Sequence, residues 1–550
     1  MCSLKCFCIW LLCSLLTLTA CTQPQEEGKH YHADLAEVVL PARDYTLKIP
    51  LNGDVTTLDP SLTQDTNSIE LVEQLFLGLT GFARDTYAAV PELATHWTVH
   101  DDGLRYRFYL RQDVFWSDGV PVTAQDVVWT LRRNIRPDHV SFYTALLYVI
   151  KNARALHEGK LQDMHLMGVK ALDDYTLEFT LEYKAAYFPK MVGNWIYRPL
   201  PQHLIARHGM AWAEPEYIET NGPYRLKEKK QGQYILLEKN PRFFAADRVN
   251  IPAVKYILVS ESAIALNMYE HNELDIIGGN YLALPEDIRH TLAVHPDFAD
   301  QFRQVPQSCA EYYVLNTRQP PLDNIAVRKA IHMAIDRELL VDLLLHGHAV
   351  PAQQFLPDML LEPDGKHRVF FHPEQARAWL QQSGYPFPLR SLTLIHNVSE
   401  RHHHNALAVK AMLQYYLDID LQVESLTWDD YVARMNHQNQ VDLYRLGWCG
   451  DYPDPHNWLY DIYHALNGQH QKNWVQPEFI DFIYQAGQEL DPHKRVTLYR
   501  AAQRQLMDEN MIILPLFFNT AQYLIKPWVK HWYAMPVGGQ PVASWSLEYD

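Results

Sequence analysis

The sequence predicts an α/β protein built from two lobes. Short stretches rich in β-branched and aromatic residues alternate with stretches whose apolar residues recur at the helical period. This alternation occurs on both sides of a long, uninterrupted middle region. With 550 residues, the chain also exceeds the roughly 250–300 residues at which a single hydrophobic core stops growing. More than one domain is therefore expected.

Several short stretches are predicted as strands because β-branched or aromatic residues dominate them. They are Tyr45–Pro50, Tyr106–Leu110, Tyr175–Leu181, Tyr234–Glu238, Val254–Ser260, Ser391–His396 and Met511–Phe518. The predicted helices are Ala124–Arg133, Ala326–Leu345 and Glu374–Ser383. Thr123 and Asp126 form an N-cap pattern at the start of the first helix, and Gly384 ends the last. The second helix is predicted as one element because its apolar residues follow a single face.

The first twenty residues have the features of an export signal. Phe7–Thr19 is uncharged and largely apolar, but it is shorter than the about 20 residues that cross a bilayer. Leu18–Cys21 matches the lipobox, in which cleavage precedes a cysteine that is then acylated. We therefore expect a signal peptide at 1–20, a lipid on Cys21 and a flexible tether over 21–40. A plain signal peptide cleaved nearby is the alternative.

The charge balance excludes one class of partner. The chain has 48 Lys and Arg against 65 Asp and Glu, a formal net charge of -17. No local excess of basic residues is available to neutralise phosphates, so nucleic-acid binding is not expected. Aromatic residues make up 12% of the chain, and they suit a hydrated binding pocket, although most of them are expected in the core.

Two cysteines remain when the export signal and the lipidated residue are set aside. The others are Cys2, Cys6, Cys8, Cys13 and Cys21. In an oxidising compartment Cys309 and Cys449 are natural partners for a disulfide. Two independent buried thiols are the alternative that parity alone leaves open.

The sequence lacks the short motifs of common enzyme classes, such as the nucleophile elbow, the phosphate loop and H-E-x-x-H. His402, His403 and His404 form a cluster, but neighbouring side chains point in different directions and cannot all face one ion. We expect no metal and no cofactor. The sharpest enzymatic alternative is a secreted hydrolase that uses Asp451 and Asp454 as paired carboxylates. Proline-flanked Asp residues that initiate a turn are the simpler interpretation.

Short motifs of one protein family occur in the family's order over nearly the whole mature chain. The longest is Arg111–Asp126, R-Q-D-V-F-W-S-D-G-V-P-V-T-A-Q-D. The others are Leu58–Pro60, Thr220–Tyr224, Glu238–Pro241, Pro320–Asn324, Val327–Ala330, Ile512–Leu516 and Lys526–Val529. Together they resemble the peptide-binding proteins that serve ABC importers, within family 5 of the extracellular solute-binding proteins.

This resemblance implies a fold. It is the two-lobed, type II periplasmic-binding-protein fold of the large peptide-binding subclass, with an additional inserted domain. The first domain would comprise residues 41–76, 206–308 and 519–550. The inserted second domain would comprise residues 77–205, and the third 309–518. The ligand would be enclosed between the first and third domains.

The resemblance also implies a function without catalysis. The chain would be a substrate-binding lipoprotein that captures short peptides and delivers them to the permease subunits of an ABC transporter. We expect an exported monomer at the periplasmic or extracytoplasmic face, held to the membrane through Cys21. Binders of murein peptide, dipeptide, haem or a nickel chelate share this fold and are the alternatives, since a fold does not determine its ligand.

The segment Gly447–Asp451 resembles the ligand-contacting segment of the oligopeptide-binding members of the family. The resemblance implies that Asp451 binds the ligand's α-ammonium through a charge-assisted hydrogen bond. It implies that Arg445 and His402 bind the ligand's carboxylate. Backbone pairing with the peptide is implied for Gly447, Trp448 and Cys449 on one side and for Gln64, Asp65 and Thr66 on the other.

Further roles follow from the same resemblance. Tyr312 and Trp428 would be walls of the side-chain pockets. In the family, the cysteine of the ligand-contacting segment is bonded to a cysteine that precedes a tyrosine-rich strand. Here Cys309 precedes Tyr312-Tyr313, which favours its pairing with Cys449.

The chain also departs from the family pattern. Gln64 is an amide where an acidic residue is expected, and Gln307 replaces an aromatic residue. The stretch Gly278–Asn280 differs from the expected tyrosine-containing one. A third family arginine falls near Arg434–Asn436, where this chain carries an insertion, and that role is not transferred. Preferred peptide length and composition are therefore left open.

Overall fold

Strands and helices alternate along the chain, as predicted. The computed structural model describes residues 45–139, 141–363, 370–436, 441–461 and 477–549. The predicted signal peptide, the tether and Cys21 lie outside these residues. Tyr45 begins a compact unit that contains all of the elements below. Within the described ranges, none of the helices combines the length and the apolar character that a membrane crossing requires.

The predicted strands are all present, with their ends within a few residues of the prediction, except for the last. Met511–Phe518 was predicted, and the observed strand, Ile513–Ile525, continues to pair beyond Phe518. The strand bounds are β1 Thr46–Leu51, β2 Thr80–Phe82, β3 Ala89–Pro91, β4 Ala94–His100, β5 Arg105–Leu110, β6 Val169–Asp173, β7 Thr176–Thr180, β8 Tyr224–Lys230, β9 Tyr234–Lys239, β10 Ala253–Leu258, β11 Ile276–Gly278, β12 Phe302–Leu315, β13 Ala349–Pro351, β14 Leu392–Asn397, β15 Leu421–Leu426, β16 Leu443–Cys449, β17 Ile513–Ile525, β18 Val529–Lys530 and β19 Ser546–Leu547.

The helices begin at the caps that the sequence indicates. Thr123 donates its backbone N–H to Asp126 Oδ2 over 2.8 Å, which forms the predicted N-cap pattern of the second helix. The helix bounds are α1 Thr66–Leu75, α2 Ala124–Asn134, α3 Ala153–His157, α4 Phe188–Met191, α5 Gln202–His208, α6 Ser262–Glu270, α7 Glu286–Leu292, α8 Ile325–Ala334, α9 Arg337–Leu345, α10 Pro373–Gln382, α11 Glu400–Leu417, α12 Trp428–Asn436, α13 Pro477–Gln488 and α14 Pro492–Arg504.

The single helix predicted over Ala326–Leu345 is wrong, because the structure has the two helices α8 and α9 there. Ile335 between them has extended backbone, with φ -93 and ψ 111. Asp336 accepts a hydrogen bond from a backbone N–H of α9 over 3.0 Å and so starts a new helix. The buried Arg337 donates to the carbonyl of Ile335 over 3.1 Å. The apolar face continues across this break, and apolar periodicity therefore does not reveal it.

Most strands belong to three sheets. A four-stranded sheet has the order β1-β10-β9-β8, and a second has the order β4-β5-β7-β6. The largest, of seven strands, has the order β11-β17-β12-β16-β14-β15, with β13 added on β17. Residues of the first sheet come from the predicted first domain, and those of the second from the predicted inserted domain. The exact domain boundaries stay a prediction.

The seven-stranded sheet is covered on both faces. Along β12, Tyr313 and Leu315 belong to one buried apolar cluster, and Tyr312 and Val314 belong to another. Because successive side chains of a strand point to opposite faces, the two clusters lie on the two faces of the sheet. The sheet is therefore held between two cores.

Strands β12 and β17 run from the predicted first domain into the third. Residues 302–306 of β12 pair with residues 520–524 of β17, and residues 310–314 pair with residues 513–518. The register shifts between Pro306 and Ala310. A register shift interrupts the ladder and lets a strand bend locally. This interruption lies at the predicted boundaries 308/309 and 518/519, where the two strands would form the connection between the lobes.

Candidate functional site

Strand β16 carries most of the predicted ligand-contacting residues. It pairs with β12 in an antiparallel register that places Cys449 directly opposite Cys309. The structure joins these two cysteines in a disulfide, with their Cα atoms 4.0 Å apart. This is the pairing that the resemblance implied.

The other edge of β16 is available for pairing. Strand β14 pairs with β16 only at Leu443 and Tyr444, so this ladder ends before Arg445. The short Cα distance of the cysteine pair is typical of a non-hydrogen-bonded pair, in which backbone groups point away from the partner strand. Since this orientation alternates along a strand, Gly447 and Cys449 direct their N–H and C=O groups towards the unpaired edge. Both residues are exposed.

Asp451 follows β16 directly and lines a cavity of about 300 Å³. The remaining walls come from residues 73–92, 193–198 and 533–544 with Pro223 and Phe243, all of which belong to the predicted first and second domains. Asp451 thus reaches from the predicted third domain into a space bounded by the other two. The resemblance implied a ligand between the first and third domains, and the contribution of residues from the predicted second domain is visible only in the tertiary structure.

The carboxylate of Asp451 has little compensation from the protein. Burial raises the pKa of this carboxyl to about 6, and a hydrogen bond from the Asn457 side chain opposes the rise. The Asn457 Nδ2 to Asp451 Oδ2 distance is 3.5 Å, and Asn457 Oδ1 accepts the Asp451 N–H over 2.9 Å. Among the described residues, none places a cationic group in an ion pair with Asp451. A cationic ligand group would supply the missing charge.

Arg445 has a partner that the sequence did not suggest. Its Nε lies 2.7 Å from Glu311 Oε1, and its Nη2 contacts Glu311 Oε2. The Glu311 side chain is 1% exposed and the Arg445 side chain is 18% exposed. A Cβ added at Gly447 would lie 2.8 Å from the guanidinium, so glycine leaves the room that Arg445 needs to reach across. The predicted carboxylate-binding cation is therefore already neutralised.

His402 lies close to this ion pair. Burial lowers the pKa of His402, and the charge of Arg445 lowers it further. Its Nδ1 is buried and has no hydrogen-bond partner among the residues that the structure describes. The structure thus brings His402 and Arg445 together, as the resemblance implied, but with a neutral imidazole favoured near pH 7.

The histidine cluster is divided between different contacts. His403 Nδ1 lies 3.3 Å from Nε2 of the buried His396, whereas His404 is exposed. Within the described ranges, no three His, Cys, Asp or Glu side chains are arranged to hold a metal ion. The three histidines therefore have different surroundings, as expected for neighbouring residues that cannot all face one ion.

Gln64 and Asp65 immediately precede α1, and Thr66 is its first residue. Asp65 caps this helix by accepting the Ser68 N–H over 2.8 Å, and it also accepts the Thr56 hydroxyl over 2.6 Å. The side chains of Gln64 and Thr66 are exposed. In the described part of the chain, no hydrogen bond joins this segment to β16. Its pairing with a ligand stays a prediction.

The two predicted pocket walls differ in exposure. Tyr312 is 1% exposed and packs edge-on against Phe355, so its ring is part of a core in this structure. Trp428 is 62% exposed at the start of α12. Only the second ring is accessible here, and both wall roles stay predictions.

Asp454 is not available for catalysis with Asp451. Its side chain is 0% exposed and pairs with Arg495, whose Nη1 lies 2.9 Å from Asp454 Oδ2. Lys190 Nζ lies 3.3 Å from the same oxygen. Despite burial, these two cations hold the pKa of Asp454 far below its usual range. A carboxylate held ionised in this way cannot act as a general acid near neutral pH.

Comparisons with known proteins agree with this architecture. Residues 88–470 match the family model of bacterial extracellular solute-binding proteins, family 5 Middle. The periplasmic oligopeptide-binding protein OppA of Salmonella typhimurium is 30% identical over 90% of this chain and 91% of its own length. The chain therefore belongs to the family 5 bacterial extracellular solute-binding proteins.

Solved structures define the fold. MppA, a periplasmic murein tripeptide binding protein in its unliganded open form, has a TM-score of 0.82 at 28% identity and covers 92% of this chain and 98% of its own. Another MppA structure, from Escherichia coli, has a TM-score of 0.68 at 27% identity, with 92% and 99% covered. The fold is the two-lobed type II periplasmic-binding-protein fold.

Proposed function

We propose that this chain is the substrate-binding lipoprotein of an ABC importer and that it captures short peptides between its lobes. The observation that carries the proposal is the carboxylate of Asp451, which lines a cavity shared by all three predicted domains and has no ion-pair partner among the described residues. A peptide's α-ammonium supplies that cation. Because every unmodified peptide carries this group, the contact selects peptides without selecting a sequence.

The free edge of β16 supports the same proposal. Gly447 and Cys449 offer backbone donors and acceptors just before Asp451. A peptide anchored at Asp451 can extend along this edge as an added strand. Gln64–Thr66 would then approach from the predicted first domain when the lobes close.

Recognition of the peptide's C-terminal carboxylate depends on the ion pair between Arg445 and Glu311. Arg445 and His402 lie near each other, but Glu311 neutralises the guanidinium and the pKa of His402 is lowered. A ligand carboxylate binds Arg445 most strongly when it shares the guanidinium with Glu311 or displaces Glu311 from it. The α-ammonium contact therefore contributes more to binding than the carboxylate contact.

Closure of the lobes accompanies binding in this proposal. The match to an unliganded open form supports an open state for the free protein. Strands β12 and β17 connect the lobes, and their register shift provides a place to bend. The closed form would be the one that docks on the permease.

Export and anchoring complete the proposal. The apolar run before Cys21 supports secretion, lipidation and attachment at the periplasmic or extracytoplasmic face. The disulfide between Cys309 and Cys449 suits that oxidising compartment. A binding role without catalysis is supported by Asp454, whose two cationic partners occupy the carboxylate that a hydrolase would need.

Native mass spectrometry after gentle purification tests the proposal, since it reports the mass of any retained ligand. Calorimetry with a tripeptide and its N-acetylated form then tests Asp451. We expect acetylation, or Asp451→Asn, to weaken binding by roughly 30-fold or more, as is typical when one partner of a buried charge pair is lost. Affinity should also fall as pH drops through about 6, because protonation of Asp451 removes the charge that binds the ammonium.

A matched control is Asp342→Asn, which removes an exposed carboxylate from α9 and should leave affinity unchanged. Equal affinity for free and acetylated peptides would show that Asp451 does not bind the ammonium. Turnover of the peptide during calorimetry would replace the binding role with an enzymatic one.

A further inference from the structure

The predicted inserted domain and the predicted third domain are in direct contact beside Asp451. Helix α4 of the inserted domain meets the turn that follows Asp451. Lys190 Nζ donates to the carbonyl of Pro453 over 2.6 Å and lies 3.3 Å from Asp454 Oδ2. The Asp454 side chain is 0% exposed. One side chain of the inserted domain thus holds both the backbone of this turn and its buried carboxylate.

Stacked rings and a backbone hydrogen bond extend this contact. The ring centroids of Tyr187 and His456 are 3.7 Å apart, with an angle of 20° between the ring planes. The Tyr452 hydroxyl lies 2.8 Å from His456 Nδ1. The Ala186 N–H donates to the carbonyl of Gly487 over 2.8 Å. We use the name bridging contact for residues 186–190, residues 452–456 and Gly487.

Tyr452 is part of the core of the opposite lobe. One buried apolar cluster extends through the predicted first and inserted domains, and Tyr452 is its one described member from the predicted third domain. Its side chain is 1% exposed, and that of Tyr187 is 2% exposed. Opening the bridging contact would expose these rings and take Lys190 away from a buried carboxylate, and both changes are unfavourable. The contact is therefore expected to persist when the lobes close.

The bridging contact also lies close to the predicted crossing between the lobes. The Gly450 N–H donates to the carbonyl of Ser308 over 2.8 Å. Ser308 lies within the interruption of the β12–β17 ladder, and the adjacent Cys309 is bonded to Cys449. When one body rotates about a hinge, the atoms near the axis move least. The turn that carries Asp451 should therefore move little, whereas the start of β16 moves further.

A chain of contacts connects Lys190 to Asp451. Lys190 holds Asp454, whose carbonyl accepts the Asn457 N–H over 3.1 Å. Asn457 Oδ1 in turn accepts the Asp451 N–H over 2.9 Å. Burial and the hydrogen bond from Asn457 set the pKa of Asp451, and the charge of Lys190 is not among the causes. Lys190 therefore acts on Asp451 through position.

We propose that the bridging contact is the pivot of lobe closure and that Lys190 is a positioning residue, which holds Asp451 against the inserted domain in both the open and the closed form. The inference rests on the proposed function, in which Asp451 binds the ligand's α-ammonium. The site for the α-ammonium is then complete before closure. Closure brings the first domain towards the other end of the peptide.

Calorimetry with a tripeptide and its N-acetylated form tests the positioning role. Lys190→Met removes the donor to Pro453 and the cation beside Asp454 while keeping the length of the side chain. We expect the affinity ratio between free and acetylated peptide to fall about tenfold, the lower end of what a hydrogen bond to a charged group contributes. Lys190→Arg keeps a donor and a cation and should retain most of the ratio. A loss of stability alone would lower both affinities together.

Lys170→Met is the matched control, because it makes the same kind of change within the inserted domain. Lys170 Nζ lies 3.0 Å from Glu178 Oε1, and Glu178 is 2% exposed. Arg107 is the second cation of Glu178, as Arg495 is for Asp454. Lys170→Met therefore also takes a lysine away from a buried carboxylate that keeps its arginine. The affinity ratio should be unchanged in this variant.

Amide hydrogen exchange of the unmodified protein tests the pivot without any variant. The Ala186 N–H is the reporter, because its acceptor Gly487 belongs to the other lobe. A pivot keeps this hydrogen bond in both forms, so saturating tripeptide should leave exchange at Ala186 unchanged or slower. Faster exchange after addition of peptide would show that the contact opens during closure, and the pivot would be overturned.

The outcomes separate this inference from the proposed function. The same ratio in Lys190→Met and in the unmodified protein overturns the positioning role and leaves peptide capture intact. A ratio that falls as much in Lys170→Met as in Lys190→Met makes the effect a general one and also overturns that role. If the unmodified protein binds both peptides equally, or binds neither, the role of Asp451 fails and this inference fails with it.

Discussion

Replacing Arg445 by alanine would leave the carboxylate of Glu311 buried without its cation. Glu311 is 1% exposed, and its two oxygens meet Nε and Nη2 of Arg445. The opposite change, Glu311→Ala, would leave Arg445 without its anion, but that guanidinium is 18% exposed and water reaches it. The two substitutions therefore should not cost the same.

The magnitude follows from these exposures. Removing one partner of a buried ion pair costs about 3–5 kcal/mol because a charge is left uncompensated. We expect Arg445→Ala to lower the free energy of unfolding by about 4 kcal/mol. Glu311→Ala should lower it by about 2 kcal/mol, because the partly solvated guanidinium loses less. The double variant should cost about 2 kcal/mol less than the sum, within the range measured for residues in contact.

Equilibrium urea denaturation of the unmodified protein, the two single variants and the double variant provides these free energies. A second double-mutant cycle on Arg154 and Glu158 is the control, since these side chains are 71% and 30% exposed. Their coupling should be about 0.3–0.5 kcal/mol. Additive losses at Arg445 and Glu311, within about 0.5 kcal/mol, would contradict the assigned ion pair. So would a larger loss for Glu311→Ala than for Arg445→Ala.

The same pair can be tested through the ligand. Glu311→Gln retains the size of the side chain and removes the charge that neutralises Arg445. We expect this variant to discriminate more strongly between a tripeptide with a free carboxylate and its C-terminal amide. Calorimetry measures both affinities. Unchanged discrimination would show that Arg445 does not contact the carboxylate end of the peptide.

Two further predictions concern stability. Asp454→Asn should lower the free energy of unfolding by about 3 kcal/mol at pH 7, because Arg495 and Lys190 lose their shared anion. Since the folded-state pKa of Asp454 is lowered, its stabilisation is complete above the unfolded value of about 4 and is lost as pH falls further, so the loss caused by Asp454→Asn should shrink in acid denaturation series. Replacing both Cys309 and Cys449 by serine should cost about 5 kcal/mol on the chain-entropy model, because the disulfide closes a separation of 140 residues. Urea denaturation with and without reductant measures it, and an unchanged midpoint would contradict the bond.

Local patterns identified some of the elements, but not β12 and β16, which carry the site. β-branched and aromatic stretches identified the strands, and Thr123 with Asp126 identified the start of α2, because strand propensity and helix capping depend on neighbours in sequence. The break between α8 and α9 was missed. The apolar face of α8 continues into α9 across Asp336. A periodic pattern therefore cannot distinguish two helices from one.

Glu311 could have been found with one more step. The cysteine pair sets the register of β12 against β16, which places Glu311 opposite Gly447 and within reach of Arg445 two residues away. The available signal was a charged residue between Cys309 and the Tyr312-Tyr313 pair, in the stretch that the resemblance implies is a strand. The ion pair between Asp454 and Arg495 had no such signal in the sequence, because the two residues are 41 positions apart and come together only through tertiary packing.

The sequence by itself determined the α/β class, the positions of several strands and helices, the motifs of the family and the two cysteines available for pairing. These depend on local propensity and on residue identity along the chain. The tertiary structure alone decided which charges are free. Asp451 is far along the chain from most residues that line its cavity, and only the convergence of these segments removes water from its carboxylate. Desolvation depends on the surroundings of a side chain in space, and the order of residues does not specify it.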